Sequence, residues 1–82
     1  MRTSKPKLFT VMANWDPDAR VWVATSQDVP GLVTEAETME LLEQKLKVMI
    51  PELLQENNVE FSPGDVPLSI IATRQDVVTL GG

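Results

Sequence analysis

Hydrophobic and polar positions alternate along the first part of the chain, and this period of two predicts β-strands. Between residues 8 and 15 one set of alternate positions is apolar or aromatic: Phe9, Val11, Ala13 and Trp15. The break at residues 16–20, built around Pro17, predicts a hairpin turn. The β-branched run over residues 21–26 then predicts a second strand that pairs antiparallel with the first.

A second turn and two further strands follow from the same kind of pattern. Pro30 and Gly31 suit the central positions of a type II turn, whose second position needs positive φ. Residues 32–35 then predict a short third strand. Apolar and polar residues alternate again over residues 68–73, which predicts a last strand. Pro67 lies at its start, where strands tolerate proline.

Between the third and the last strand the period changes to that of an α-helix. Apolar residues at spacings of three and four define one helical face: Met39, Leu42, Leu46, Met49 and Leu53. Thr38 is predicted to be the N-cap. Pro51 removes one backbone donor, so we expect the helix to kink or restart there and to end near Asn57–Asn58.

These elements predict an α+β fold of order β-β-β-α-β, with an antiparallel sheet of three or four strands and one kinked helix on one face. The domain is expected to span residues 8–80, after a flexible basic tail over residues 1–7. One helix covers one sheet face, so the other must be polar or meet a partner. Apolar residues suggest hydrophobic content on both faces: Leu8, Met12, Trp22, Ile70 and Ile71. We therefore expect a homodimer formed through sheet or final-strand contacts.

The composition excludes several kinds of chemistry. The 82 residues contain no His and no Cys, which excludes a Ser-His-Asp triad, a thiolate nucleophile, a thiolate zinc site and disulfides. We therefore expect a protein that is not an enzyme and that binds no cofactor and no metal. The apolar runs are far shorter than the ~20 residues of a membrane span, and no signal-peptide pattern is present, so we expect a cytoplasmic protein.

Charge is distributed unevenly along the chain. Three of the seven cations lie in residues 1–7, so residues 8–82 carry 4 positive and 12 negative side chains, a net charge of −8. Such a body repels nucleic acid phosphate and attracts a basic partner.

The segment from Val21 to Leu42 resembles the signature of HicB-type antitoxin domains. It has an aromatic strand, the turn Asp28-Val29-Pro30-Gly31, a short strand ending in Ala36-Glu37-Thr38, and an amphipathic helix. Residues 48–54 resemble a short branch of that superfamily, a domain of unknown function. The resemblance implies a partial ribonuclease-H-like fold without its catalytic apparatus. It also implies a role in masking a HicA-type ribonuclease toxin, itself built like a double-stranded-RNA-binding domain.

The chain also departs from that pattern. Full HicB antitoxins carry a C-terminal module that binds operator DNA, whereas residues 59–82 contain no helical period to form one, so we expect no direct DNA binding. The candidate partner-binding residues are Trp22, Asp28, Glu35, Glu37 and Glu40. Trp22 could anchor an interface or belong to the core, and Asp28 could contact a partner or bond its own turn. The glutamates could attract a basic toxin and also stabilise the helix N-terminus.

Two other functions follow from weaker patterns. Asp16 and Asp18 could hold a divalent cation as in ribonuclease-H-type enzymes, although turn formation explains them better. The terminal Gly81-Gly82 is typical of sulfur-carrier proteins, whose flexible ends enter an adenylating enzyme. A homodimeric domain with some other protein partner is the remaining alternative.

Overall fold

The computed structural model describes residues 8–60, 64 and 66–81. Its elements follow the predicted order: β1 (Phe9–Asp16), β2 (Val21–Thr25), β3 (Val33–Ala36), α1 (Met39–Glu56) and β4 (Leu68–Thr73). The strands form one sheet in the order β3-β2-β1-β4. The predicted α+β class is confirmed, whereas the predicted tail over residues 1–7 and Gly82 lie outside the described residues.

The last strand pairs differently from the prediction. β1 with β2 and β2 with β3 are antiparallel, but β4 lies parallel to β1, with Phe9 beside Leu68 and Asn14 beside Thr73. The prediction of a wholly antiparallel sheet is therefore wrong at this pair. The reason is topological: β3 runs in the same direction as β1, and α1 returns the chain to the end of the sheet where both strands begin. β3-α1-β4 is thus a crossover connection between parallel strands.

The hydrophobic core lies between α1 and one face of the sheet. β1 contributes Phe9, Val11 and Ala13, which are fully buried. The helix contributes a row at spacings of four: Leu42, Leu46, Ile50 and Leu54. The predicted helical face is therefore rotated, because Met39, Met49 and Leu53 are half-buried at its margin rather than at its centre.

α1 has the predicted N-cap and ends at the predicted place, and both of its ends are capped. The Thr38 hydroxyl accepts a hydrogen bond from the Leu41 amide at 3.1 Å. At the other end Asn58 has a φ of 55°, and the Val59 amide donates to the Leu54 carbonyl at 2.9 Å, which forms a Schellman motif.

The helix passes through Pro51 without a break, so the predicted alternative of a restart is wrong. The ring removes the hydrogen bond that the Lys47 carbonyl would accept. The flanking residues Ile50 and Leu54 are buried in the same core, and this burial keeps the two halves in one helix. No helix in the described residues is long and apolar enough to cross a bilayer.

Removing the N-cap hydroxyl tests the start of α1. Thr38→Ala is expected to lower the free energy of unfolding by about 1 kcal/mol, because the Leu41 amide loses its hydrogen-bond acceptor. Urea denaturation followed by circular dichroism measures the change. Thr38→Ser retains the hydroxyl and serves as the matched control; equal losses in both variants would contradict a capping role.

Candidate functional site

The residues after β2 bind the start of β1 through their side chains. One Asp28 carboxylate oxygen accepts a hydrogen bond from the Thr10 amide at 2.7 Å. The Ser26 hydroxyl donates to the Thr10 carbonyl at 2.6 Å and accepts from the Asp28 amide at 3.0 Å. The β1–β2 pairing ends at Met12 and Thr25, so these two side chains extend it by binding both backbone groups of Thr10. We call Ser26 and Asp28 the Thr10 clamp.

The Thr10 clamp helps to decide whether Asp28 has a structural role or contacts a partner. One carboxylate oxygen binds the Thr10 amide of β1, so this geometry favours a structural role, although the bond is to a neighbouring strand and not to the turn of Asp28 itself, as the sequence suggested. The turn that follows is the predicted type II turn: the Leu32 amide donates to the Val29 carbonyl at 3.2 Å, and Gly31 has a φ of 79°.

The turn between β1 and β2 uses its aspartate in the same way. An Asp16 carboxylate oxygen accepts hydrogen bonds from the amides of Asp18 and Ala19, at 3.0 and 3.2 Å. These bonds favour the turn explanation of the two aspartates. In residues 8–60, 64 and 66–81, no group of three or more acidic side chains is placed to hold a metal ion.

Trp22 lies on the helix-covered face of the sheet and is half-buried. Its ring is 5.3 Å from that of Trp15, at an interplanar angle of 63°, in an edge-to-face arrangement. The guanidinium carbon of Arg74 lies 4.3 Å from the centre of the Trp15 ring. Trp22 thus packs at the margin of the core and is also partly exposed at the surface. Its assignment as a partner-binding residue stays a prediction.

The other face of the sheet is uncovered by the described residues and carries apolar side chains between threonines and serine. Met12, Val33 and Ile71 are 39%, 68% and 47% exposed there. The sequence suggested apolar content on both faces, and this is correct. Trp22 and Ile70, however, belong to the helix-covered face.

A groove runs along the outer edge of β3, beside the first turns of α1; we call it the β3–α1 groove. Its volume is about 760 Å³. The apolar lining includes Leu41, Val48 and Met49, and the polar lining includes Glu35, Glu37 and Lys45. The Lys45 ammonium donates to the Glu35 backbone carbonyl at 2.6 Å, which ties the helix to the strand edge.

The structure brings some of the predicted site residues together and separates others. Glu35 and Glu37 line the β3–α1 groove, and Trp22 lies one strand away, opposite Ala36. Glu40 is exposed in the first turn of α1 but does not line the groove. Asp28 lies beyond the other end of β2, more than roughly 10 Å along the strand from Trp22, given ~3.3 Å per residue.

The apolar part of the groove was not predicted from the sequence. Leu41 and Val48 are 47% and 62% exposed, and both lie outside the buried row of the helix. The sequence feature that could have revealed the groove is this pair of large apolar residues. They are seven positions apart, which is two helical turns, and they lie beside the main apolar face of the helix.

The described residues form a small α+β domain with a groove at one sheet edge and a second sheet face on which several apolar side chains are exposed. The chain belongs to the family described as a domain of unknown function, DUF1902, which it matches over residues 8–79. It is similar to the crystal structure of the hypothetical protein TTHA1013 from the extremely thermophilic bacterium Thermus thermophilus. The identity is 44%, the match covers 90% of this chain and 100% of that chain, and the TM-score is 0.67. No curated protein matches the chain.

Proposed function

We propose that this protein is a non-catalytic antitoxin that binds and masks a HicA-type RNA-cleaving toxin. The observation that carries the proposal is the β3–α1 groove, whose lining combines the exposed apolar side chains of Leu41 and Val48 with the exposed acidic residues Glu35 and Glu37. The signature over residues 21–42 supports the same class of partner through its resemblance to HicB domains.

The charge distribution suits a basic partner. A ribonuclease toxin must present positive charge to the phosphates of its RNA substrate. The body of this protein has a net charge of −8 over residues 8–82, so the two proteins attract each other before contact. Binding at the same positive surface would then exclude RNA from the toxin.

The apolar lining of the groove would hold the complex after encounter. Leu41 and Val48 are largely exposed and lie two helical turns apart along one side of α1. Large exposed apolar side chains beside polar ones are typical of protein-binding surfaces. Electrostatic attraction would therefore set the association rate, and these apolar contacts would set the dissociation rate.

Co-expression with the product of the adjacent reading frame tests the proposal. We expect that product to be toxic alone, to lose its toxicity when this protein is present, and to co-purify with it. A neighbour that is non-toxic and fails to co-purify would remove the basis of the antitoxin assignment.

Neutralising the two acidic residues that line the groove tests the role of charge. The double variant Glu35→Gln/Glu37→Gln is expected to lower the association rate constant for the toxin by roughly tenfold at low salt, with little change in the dissociation rate. Surface plasmon resonance over a range of salt concentrations measures both rates. Glu56→Gln/Glu60→Gln removes the same charge from exposed positions outside the groove and is the matched control. Equal effects of the two double variants would contradict a specific role of the groove.

A further inference from the structure

The residues after β4 form an exposed apolar segment, which we call the C-terminal arm (residues 74–81). Its apolar side chains Val77, Val78 and Leu80 are 83%, 84% and 90% exposed. Within the described residues, its polar contacts are the stacking of Arg74 on Trp15 and the bond from the Val77 amide to the neighbouring Asp76 carboxylate. The arm therefore has apolar surface that the described part of its own chain leaves uncovered.

The strand that leads into the arm has an unprotected edge. β4 is the outermost strand beside β1, and its sequence LSIIAT contains neither a charged residue nor Pro. Edge strands usually carry Lys, Pro or another device that prevents pairing with a second chain. The opposite edge has such devices, because β3 is four residues long and Lys45 binds its Glu35 carbonyl.

We propose that a second copy of this chain covers the β4 edge, with the arm of each copy paired antiparallel to β4 of the other. The arm and the edge that receives it are contiguous in sequence, so a single two-fold axis satisfies both copies at once. The two sheets then join into one, and the exposed apolar residues of both arms become cross-strand neighbours of Ile70, Ile71 and Ala72.

The alternation of side chains restricts the register of this pairing. A two-fold axis perpendicular to the sheet places the helix-covered faces of both copies on the same side. Ile70 lies on that side and Ile71 on the other, beside Val11 and Met12 of β1 respectively. Residues directly opposite each other must point to the same side, so even-numbered residues pair with even and odd with odd. In every permitted register, therefore, one residue lies on the axis, directly opposite the same residue of the second copy.

The charges of the arm select among these registers. Placing Gln75 on the axis sets Arg74 of each copy opposite Asp76 of the other, which gives two cross-strand ion pairs. The adjacent permitted positions are unfavourable, because they set Arg74 opposite Arg74 or Asp76 opposite Asp76. With Gln75 on the axis, Leu80 lies opposite Ile70 and Val78 opposite Ala72 of the second copy, all on the helix-covered side.

This interface goes beyond the proposed function and does not depend on it, because the β3–α1 groove lies at the opposite edge of the sheet. Toxin binding could therefore fail while the dimer forms, and the dimer could fail while toxin binding holds.

A single cysteine at the axis tests the register. The chain contains no Cys, so a disulfide in Gln75→Cys must join two copies. Opposite Cα atoms of antiparallel strands lie within disulfide range. Mild oxidation of the full-length variant is expected to give a covalent dimer on a non-reducing gel. Gln27→Cys, exposed beyond the far end of β2, is the control and should stay monomeric on the gel. Equal cross-linking of both variants, or faster cross-linking of Arg74→Cys, would overturn this register.

Sedimentation velocity tests the interface itself. The full chain is expected to sediment as a dimer, and Val78→Asp/Leu80→Asp is expected to shift to the monomer mass with the helical signal of its circular dichroism spectrum unchanged, because both side chains are exposed in one copy. Val48→Asp introduces a charge at another exposed apolar position and should leave the dimer intact. A monomeric wild type, or a double variant that remains dimeric, would overturn the proposal.

Discussion

Replacing Leu46 by Ala is expected to lower the free energy of unfolding by about 2 to 5 kcal/mol. Leu46 is fully buried at the middle of the helical row that packs on the sheet, and its truncation leaves a cavity among fixed neighbours. Domains of this size are stable by roughly 5 to 15 kcal/mol at most, so the loss would remove a large share of the stability.

Leu41→Ala is the matched control for the Leu46 variant. It removes the same atoms from the same helix, but Leu41 is 47% exposed and should cost less than about 1 kcal/mol. Thermal and urea unfolding of both variants at one protein concentration measures the difference, since the stability of a dimer depends on concentration. Equal losses would mean that the core does not lie where the structure places it.

Asp28→Ala is expected to lower the free energy of unfolding by about 1.5 to 3 kcal/mol, the typical cost of losing a hydrogen bond to a charged group. The variant removes the acceptor for the part-buried Thr10 amide, which lies beyond the end of the β1–β2 pairing. Asp28→Asn retains an oxygen but loses the charge, so its loss should be intermediate. Urea unfolding measures all three proteins.

Asp18→Ala is the control for the clamp, because the Asp18 side chain is exposed in the first hairpin turn. It should change the free energy of unfolding by less than about 0.5 kcal/mol. A stable Asp28→Ala protein that no longer binds the proposed toxin would show the opposite of our assignment, namely that Asp28 contacts the partner rather than the Thr10 amide.

Local patterns in the sequence predicted the local structure well. The strand over residues 68–73, the Thr38 cap, the Asn58 helix end and the Pro30–Gly31 turn were all recognisable. Each depends on the chemistry of a few adjacent residues: a side-chain acceptor before a helix, or a glycine where φ must be positive.

The remaining features depend on residues far apart in the chain. The parallel pairing of β4 with β1 follows from the direction in which α1 returns the chain, which no local period encodes. The deeper burial of Ile50 and Leu54, compared with Met49 and Leu53, depends on how the helix is rotated against the sheet. The β3–α1 groove could not be predicted, because it forms only when Leu41 and Val48 lie beside the edge of β3.

The parallel β1–β4 pair has a consequence for biosynthesis. β1 emerges from the ribosome before its outer neighbour β4, which is complete only when Thr73 has been added. Until then the nascent chain presents the whole outer edge of β1, with the apolar residues Val11 and Met12 along it, to any other unfinished chain. Translation of the last strand is therefore the step that covers the outer edge of β1, and a stop codon before residue 68 would leave that edge open.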